Sequence, residues 1–459
     1  MEKVQVQNWF GDITSFPQVI VEPESVQEIS DIMRDAQRYP GSVRAIGSNH
    51  STTACGATDG GTLVNMRKMN RIKEIRSDTV TVEAGALYID VARELRKRNM
   101  QFYINVVIGN LTMGSAACCG TKDASMPGES GQVCSYVTEL KLVKSSGELM
   151  TITAERDPEL LQAVRSSYGL LGIVYEVTFK IRPLQSLAVY HKAYHLDQFA
   201  QQLPELKIAN VSLMFYIYPF LDRITAECRK YNPDANPQRA THWQWTVRNY
   251  LWRKLSPSYA FLVSRYIPLA PLRSFLLAAF NRTVIAISAL ALRGRNTLPM
   301  DQQIHFSEQQ HLSKFTFSFW AFPEENYIET LRAYFQFCQQ YHRQTGYRPD
   351  MPTVAYRVNA DDSSLFSYSS HGTVITIDPV STGNKGWEEF LVAYNQFCSQ
   401  HGGIPLFNQT KSLSDEQVRQ AFADRIQKFE HYRSDFDPAG RLLNRYFRTF
   451  FGQKQKVEV

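Results

Sequence analysis

The sequence predicts an α+β protein of two connected domains, and three features of the chain support this. Its 459 residues are enough for two or three domains, and 44% hydrophobic with 20% charged residues is a globular composition with ample core material. Short apolar runs alternate with helical patterns through residues 1–183. From residue 184 aromatic residues become frequent, and a basic, aromatic helical stretch separates the later strand-like runs.

The predicted elements follow from caps and periodicity. Ser25-Val26-Gln27-Glu28 is a capping-box pattern, which predicts a helix to about Tyr39. Apolar residues at 87, 91 and 95 share one helical face and predict a helix over 88–99. Runs with strand character lie at 18–21, 43–46, 62–65, 79–83, 140–143, 173–179, 314–320 and 373–377, and further helices are predicted over 325–341, 387–401 and 415–433.

Charge and cysteine content argue against several classes of protein. Fifty Lys and Arg against 44 Asp and Glu give a net charge of +6, which suits an anionic small molecule and falls short of a nucleic-acid-binding surface. The seven cysteines form no CxxC pair and no metal-ligand spacing, and the N-terminus shows no apolar leader. We therefore expect reduced thiols, no metal site and a cytoplasmic location.

The most apolar stretch, residues 275–292, is divided by Asn281 and Arg282. It is too short and too interrupted to predict a membrane span, so we expect a buried or interfacial helix. The basic, aromatic residues 243–265 leave two alternatives, contact with an anionic membrane surface or a solvated helical face packed on the second domain. We expect the second, because nothing else in the sequence supports membrane contact.

Residues 44–51 carry the most informative local pattern. A strand runs into a tight turn whose consecutive backbone N–H groups can converge on one anion. Gly47 allows close approach of a phosphate, Ser51 adds a hydroxyl donor, and His50 faces whatever the turn holds. A hairpin turn with an incidental histidine is the alternative. No G-x-G-x-x-G follows a strand, and Ser115 follows the glycines of 109–114 where a P-loop requires lysine.

Three further segments carry a family resemblance. They are the small-residue segment 109–121, the glycine-containing segment 166–174, and residues 436–447, which read FDPAGRLLNRYF. Together with residues 44–51 they make the chain resemble the FAD-linked oxidases of the vanillyl-alcohol oxidase superfamily, which carry a PCMH-type FAD-binding domain. Within that superfamily it is most similar to the sugar-lactone and alditol oxidases of the gulonolactone and arabinonolactone oxidase types.

The resemblance implies both a domain arrangement and a cofactor. A PCMH-type FAD-binding domain of two subdomains is expected over residues 1–183 and an α+β cap domain for the substrate over 184–414, with 415–459 returning to the FAD domain. The cofactor is FAD. In the family the histidine of the turn is commonly bonded to the flavin 8α-methyl carbon, a role that falls here on His50.

By the same resemblance, the cofactor-binding residues come from three segments. The turn contributes Arg44, Ala45, Ile46, Gly47, Ser48, Asn49, His50 and Ser51. The small-residue loop contributes Gly114, Ser115, Ala117, Cys118, Gly120 and Thr121. The segment near the flavin ring and adenosine contributes Gly169, Gly172, Ile173 and Val174.

The substrate side matches the family less well. Relatives usually have a Glu-x-Arg pair on a cap strand and an H-W-x-K motif before the C-terminal helix. Here Ala355 stands at the Glu position before Arg357, Lys411 follows a segment without His-Trp, and Lys122 stands near the place of a common family histidine. A cation beside the flavin stabilises charge on the reduced ring. Arg357 and Lys411 are therefore the catalytic candidates, with ordinary surface cations as the alternative.

The implied reaction is oxidation of a CH–OH group in a sugar-derived alcohol or an aldonolactone. Hydride passes to flavin N5, and oxygen, a quinone or a cytochrome accepts the electrons. Because a glutamate that would accept from a polyol hydroxyl is missing, two alternatives stay open. One is a biosynthetic flavoenzyme acting on a lipid-linked or natural-product alcohol. The other is a flavin-binding protein whose active site has drifted.

Overall fold

Three main β-sheets organise the chain. The computed structural model describes residues 4–238, 243–292, 296–304 and 311–452. Within these residues a three-stranded parallel sheet and a six-stranded antiparallel sheet belong to the first 183 residues, and an eight-stranded antiparallel sheet follows. The mixture of helices and mainly antiparallel sheets confirms the predicted α+β class.

The strands of the first part are short and are separated by four helices in the described chain. The strands are β1 (Val6–Gln7), β2 (Thr14–Ser15), β3 (Val19–Val21), β4 (Val43–Ile46), β5 (Thr62–Asn65), β6 (Ile72–Ile75), β7 (Thr79–Glu83), β8 (Met100–Phe102), β9 (Val137–Val143), β10 (Leu149–Thr153) and β11 (Ile173–Pro183). The helices are α1 (Val26–Arg34), α2 (Tyr88–Arg96), α3 (Met113–Cys118) and α4 (Pro158–Val164).

The parallel sheet has the order β3–β5–β4 and carries the predicted anion-binding turn at the end of β4. Helix α1 begins as the capping box predicts, since the Ser25 hydroxyl accepts from the N–H of Glu28 at 3.3 Å. It ends at Arg34, earlier than predicted, because Asp35 leaves the helical conformation and its carboxylate accepts from the N–H of Arg38. The antiparallel sheet has the order β10–β9–β11–β7–β6, and β8 also pairs with β11.

The second part contains the remaining elements. Its strands are β12 (Ser186–Tyr194), β13 (Ser212–Tyr218), β14 (Arg223–Tyr231), β15 (Asn296–Pro299), β16 (Thr316–Phe317), β17 (Trp320–Pro323), β18 (Thr353–Val358), β19 (Val374–Thr376), β20 (Val380–Ser381) and β21 (Ile404–Pro405). Its helices are α5 (Leu196–Ile208), α6 (Trp243–Tyr250), α7 (Ser256–Tyr266), α8 (Ala270–Ala291), α9 (Tyr327–Thr345), α10 (Trp387–Gln400), α11 (Asp415–Phe422) and α12 (Asp424–Phe436).

The eight-stranded sheet has the order β15–β12–β14–β13–β18–β19–β17–β21 and presents two different faces. One face is covered by helices: Phe215 of β13 packs on Phe199 of α5 with ring centroids 5.0 Å apart, and Thr353 of β18 bonds the Tyr334 hydroxyl of α9. Because successive strand residues point to opposite faces, the neighbours of Phe215 and Thr353 face the first part of the chain.

The C-terminal segment differs from its prediction in one respect. Instead of one helix over 415–433, α11 and α12 meet at Ala423, whose positive φ of 41° interrupts the helical path.

After α12 the chain returns to the parallel sheet. The carboxylate of Asp437 accepts from the N–H groups of Arg441 and Leu442, and the N–H of Val43 in β4 donates to the Arg441 carbonyl at 2.8 Å.

The predicted strand at 314–320 is also interrupted, because β16 ends at Phe317 and β17 begins at Trp320 in a different sheet. The boundary predicted at residue 183 lies where β11 ends and the chain passes into the eight-stranded sheet at β12. The predicted domain limits themselves stay a prediction, and residues 453–459 of the last one lie outside the described residues.

Candidate active site

A cavity lies between the anion-binding turn and the uncovered face of the eight-stranded sheet. All eight predicted residues of the turn, 44–51, line it. The facing wall consists of alternate residues of two adjacent strands, Met214 and Tyr216 of β13 and Val354 and Tyr356 of β18. Further apolar lining comes from Val106, Val107, Ile108, Trp252, Phe315, Phe317, Met351, Pro352 and Val380.

The turn has the geometry that close approach of a cofactor requires. Asn49 adopts a positive φ of 53°, so the chain reverses sharply just before His50. The Ser48 hydroxyl donates to the Asn110 carbonyl at 2.5 Å, which fixes the turn to the loop before α3. At Gly47 a Cβ atom would lie 2.1 Å from Oγ1 of Thr112, so no larger residue fits this backbone.

Arg44 lines the cavity, but its guanidinium serves the protein backbone. Nε donates to the Cys55 carbonyl at 3.0 Å, Nη1 to Leu442 at 2.9 Å and Nη2 to Tyr168 at 2.5 Å. The side chain is 2% exposed. Its role is therefore to position the turn within the fold.

His50 is enclosed and neutral. Its ring lies against Trp9 with centroids 4.7 Å apart, and neither ring nitrogen has a hydrogen-bond partner of good geometry in the described chain. Burial lowers the pKa of His50 to about 4, although the Asn110 side chain opposes the shift. Above that pH the imidazole keeps an unprotonated nitrogen, which is the form that acts as a nucleophile.

The other predicted cofactor residues divide into lining and supporting positions. Ser115 and Thr121 line the cavity. The cavity lining does not include the remaining eight predicted residues, which are Gly114, Ala117, Cys118, Gly120, Gly169, Gly172, Ile173 and Val174. Gly114 packs on Ala84 and Gly172 on the Val143 carbonyl, at distances where a Cβ would clash, so these glycines bring the supporting elements together. Burial raises the pKa of the Cys118 thiol to about 12, which keeps it neutral.

The two predicted catalytic cations lie elsewhere. Arg357 is outside the cavity lining and bonds Glu324, with Nε and Oε1 2.5 Å apart. Lys411 is also outside it and pairs with Asp12 at 2.9 Å and Glu388 at 2.6 Å. Both cations are paired with carboxylates and lie outside the cavity lining, and their catalytic role stays a prediction.

Strand parity explains the displacement of Arg357. In β18 the residues at 354 and 356 face the cavity, whereas Ala355 and Arg357 face the helices. A Glu-x-Arg pair directed at the cavity would therefore occupy positions 354 and 356, which hold Val354 and Tyr356 here. In the segment before α11 the polar residues on the cavity are Asn408 and Gln409.

Sequence reasoning missed a buried ion pair in the cavity wall. Lys122 Nζ lies 3.1 Å from Asp378 Oδ2, and both side chains are almost fully buried. The ammonium also sits 4.2 Å from the ring centroid of Phe319 and 4.9 Å from that of Tyr356. Lys122 was visible only as a departure from the family pattern, while Asp378 lies 256 residues away with no local signal.

Asp378 has an unused acceptor. Its Oδ1 is buried and lacks a hydrogen-bond partner of good geometry in the described chain, although the residue lines the cavity. Burial raises the pKa of Asp378 to about 6, and Lys122 and the Thr376 side chain limit the shift. The carboxylate is thus poised to take up a proton near neutral pH.

A second group of buried charges fixes the cavity wall. Glu227 of β14 accepts from Arg229 and from Arg248 of α6, and Arg229 also reaches Asp123 at 2.9 Å. His191 completes the group at 2.8 Å from Glu227. Burial alone would raise the pKa of Glu227, but Arg248 and Arg229 hold it well below its ordinary value. Among the described residues no cluster of His, Cys, Asp or Glu is arranged to hold a metal ion.

Family comparisons agree with this geometry. A family model described as FAD binding domain matches residues 17–153, and one described as D-arabinono-1,4-lactone oxidase matches residues 177–450. The second covers more than half of the chain. The chain belongs to the D-arabinono-1,4-lactone oxidase family.

Individual relatives match over nearly the full length. The L-gulono-1,4-lactone dehydrogenase of Mycobacterium tuberculosis is 23% identical over 447 residues, covering 97% of this chain and 98% of the relative. The L-gulonolactone oxidase of Scyliorhinus torazame is 24% identical over 466 residues, covering 97% and 98%. The crystal structure of cholesterol oxidase from B. sterolicum superposes with a TM-score of 0.74 at 14% identity, covering 98% of this chain and 97% of that one.

This D-arabinono-1,4-lactone oxidase family member is an FAD-dependent oxidoreductase of PCMH-type fold, as the resemblance implied. The cavity fits the cofactor. Besides the turn at Gly47, it presents buried polar atoms without partners in the described chain on His50, Asn408 and Gln409. Such atoms are costly unless a ligand satisfies them.

We predict that Gly47→Ala lowers FAD affinity by about ten-fold or more, because the added methyl group must displace the turn or Thr112. FAD titration of the apoprotein measures the effect. The double variant Gly47→Ala/Thr112→Ala removes the two closest atoms and should recover part of the affinity, with Thr112→Ala alone as the control. Wild-type affinity in Gly47→Ala would show that close approach at this glycine is unnecessary.

Proposed function

We propose that this protein oxidises the CH–OH group of a sugar-derived alcohol or an aldonolactone, and that Asp378 accepts the hydroxyl proton. The observation that carries the proposal is the unpaired, buried Oδ1 of Asp378 in the same cavity as the anion-binding turn. The relatives named as gulonolactone and arabinonolactone enzymes support the substrate class.

Oxidation of an alcohol carbon to a carbonyl removes a hydride from carbon and a proton from oxygen. When bound, FAD supplies the hydride acceptor at N5. Asp378 takes the proton through Oδ1, while Lys122 occupies Oδ2 and favours the ionised carboxylate. The aromatic and aliphatic wall around this pair excludes water, which strengthens the attraction between the hydroxyl and the carboxylate.

A second candidate substrate class is a lipid-linked or natural-product alcohol. The observation that favours it is the apolar wall facing the turn, where Val354 and Tyr356 occupy positions suited to a Glu-x-Arg pair and Met214 and Trp252 lie nearby. A polyol with several hydroxyls would leave many of them unpaired against this wall, which is costly. An alcohol with an apolar substituent would place that substituent against the wall and leave no hydroxyl unpaired there.

We also propose covalent attachment of FAD through His50, a cytoplasmic location, and oxygen, a quinone or a cytochrome as the electron acceptor. The neutral imidazole in the cavity, which has no hydrogen-bond partner of good geometry in the described chain, supports covalent attachment. The seven free cysteines support a cytoplasmic location. Reoxidation of the reduced protein with each acceptor in turn distinguishes between the three acceptors.

The substrate class is tested by anaerobic bleaching of the flavin spectrum with two panels of alcohols. We expect bleaching by aldonolactones and alditols. Bleaching only by alcohols with apolar substituents would favour the second candidate. If neither panel bleaches a flavin that dithionite reduces, the protein is a flavin-binding protein without this activity, and the proposal is wrong.

Asp378 should impose a pH dependence on flavin reduction. Because the carboxylate is the active form, the rate should fall about ten-fold per pH unit below pH 6 and level off above it. Asp378→Asn should reduce the rate about 100-fold or more and abolish the fall in rate below pH 6, which we call the acidic limb of the pH–rate profile. Lys122→Met should move this limb to higher pH, because loss of the cation disfavours the ionised carboxylate.

Asp350→Asn is the matched control for Asp378→Asn, since Asp350 is equally buried, bonds Ser381 at 3.0 Å and lies outside the cavity lining. It should keep the pH limb even where stability falls. An unchanged limb in Asp378→Asn, measured by stopped-flow reduction with the flavin content verified, would exclude Asp378 as the base.

His50→Ala should fold and bind FAD but lose covalent attachment. After acid precipitation, the wild-type pellet should be yellow, whereas the flavin of His50→Ala should remain in the supernatant. His371→Ala, at an exposed loop position, is the control and should behave as wild type. Flavin retained in the His50→Ala pellet would contradict the assignment, as would complete release from the wild type.

A further inference from the structure

The helices between β14 and β15 leave the eight-stranded sheet and form a segment, called the insertion below, whose outer side is unusual for a water-exposed surface. It comprises α6, a π-helical turn over Leu251–Leu255, α7 and α8. Among the described helices, α8 alone is long and apolar enough to cross a membrane, judged by length and composition. Yet only Leu277, Val284 and Ser288 of its 22 residues are buried.

Most of the exposed residues of α8 are apolar and form a stripe along its outer side. Leu272, Phe275 and Leu290 are exposed on the side opposite Leu277, Val284 and Ser288, and Ile287 is exposed at the edge of that side. A helix that is hydrophobic on both sides differs from an ordinary amphipathic surface helix, whose outer side is polar. On the outer side of α8 the exposed polar residues are Arg282 and Thr283, so most of that side lacks the polar residues that favour contact with water.

The turn between α7 and α8 extends this stripe. Tyr266 is 68% exposed, Leu269 64% and Phe275 66%, and they lie within ten residues of each other. The guanidinium of Arg273 donates to the carbonyls of Ile267 and Pro268, so the turn is a defined structure. Monomeric soluble proteins rarely expose contiguous apolar patches of this kind without a partner.

The charge of the insertion indicates the chemistry of that partner. Residues 235–300 contain nine Lys and Arg and no Asp or Glu, whereas the rest of the chain has 41 Lys and Arg against 44 Asp and Glu. Thus the whole positive balance of the protein resides in this segment. Arg265 and Arg282 are exposed beside the apolar stripe. Apolar residues flanked by cations match the acyl boundary and phosphates of an anionic membrane.

The inner side of the insertion remains attached to the fold. Helix α8 packs against β12, and the Leu292 carbonyl after it accepts from the N–H of His191 at 3.1 Å. Ile285 packs against the cluster that contains Met214 and Tyr216, and Leu277 belongs to the buried cluster that contains Met351 and Val380. A helix attached along one side in this way can lie in a membrane surface but does not cross it.

We propose that this insertion docks the protein on an anionic lipid surface. The α7–α8 turn and the stripe of α8 enter the boundary between headgroups and acyl chains, and Arg265 and Arg282 contact lipid phosphates. This assignment reverses the expectation from the sequence, where a solvated face was preferred for residues 243–265.

The test is co-sedimentation of the full-length, FAD-loaded protein with vesicles of phosphatidylcholine, with and without phosphatidylglycerol. We expect binding to the anionic vesicles, weakening with salt. Leu269→Glu/Phe275→Glu should lower the bound-to-free ratio about ten-fold or more. Arg265→Glu/Arg282→Glu should lower the bound-to-free ratio by a similar factor on anionic vesicles. Ile208→Glu, at an 84% exposed apolar position on α5, is the matched control and should bind as wild type.

Flavin content and the near-ultraviolet circular dichroism spectrum show that each variant is folded, independently of lipid and of any substrate. One double variant tests the entry of apolar side chains into the lipid, and the other tests the contribution of charge. Absence of wild-type binding, equal binding to neutral and anionic vesicles, or full binding by folded variants would overturn the proposal. A dimer in solution that Leu269→Glu/Phe275→Glu dissociates would assign the stripe to a second copy instead.

Discussion

The buried guanidinium of Arg44 is the interaction on which the position of the anion-binding turn depends. Its three hydrogen bonds reach the loop after the turn at Cys55, the segment before β11 at Tyr168 and the returning C-terminal segment at Leu442. The Cys55 carbonyl also accepts from the Asn444 side chain, so loss of the guanidinium would leave the buried carbonyls of Tyr168 and Leu442 unsatisfied, at a cost of about 1–3 kcal/mol each. Burial lowers the pKa of Arg44, and the negative charge of Asp437 in the returning tail opposes that shift. The closing sequence motif and the turn are thus parts of one structure, although they are far apart in the chain.

The parts of the site that the sequence predicted are those formed by residues close together in the chain. The strand–turn motif at 44–51 is local, and its glycine, serine and histidine predict an anion-binding turn, with a hairpin turn as the alternative. The cofactor was implied only by the resemblance of this motif and the later segments together. The structure brings the whole motif to the cavity. The family resemblance assigns the glycines at 114 and 172 to the cofactor, and that assignment stays a prediction. The structure shows that both glycines allow close packing between protein segments, a role that only the neighbouring atoms reveal.

The catalytic side was harder to predict because it depends on strand parity and on distant pairing. A shift of one residue in β18 moves a side chain from the cavity to the helical face, so the arginine nearest the family motif, Arg357, points toward Glu324. The pair of Lys122 and Asp378 joins two loops separated by 256 residues. No periodicity encodes such a contact. Similarly, nothing local in 415–433 showed that the helix would be interrupted at Ala423.

The buried group around Glu227 connects the cavity with the insertion. Arg248 bonds both the carboxylate of Glu227 at 2.7 Å and the Tyr216 hydroxyl at 2.5 Å, so α6 is attached to the cap sheet through charges enclosed in the protein. Buried carboxylates are stable as ions only when cations neutralise them, which makes this attachment specific in position and orientation. The insertion can then present an apolar, cationic outer side without loosening its inner side. Trp252 lines the cavity and lies four residues after Arg248, so the electrostatic attachment that orients the outer surface also shapes the wall facing the turn.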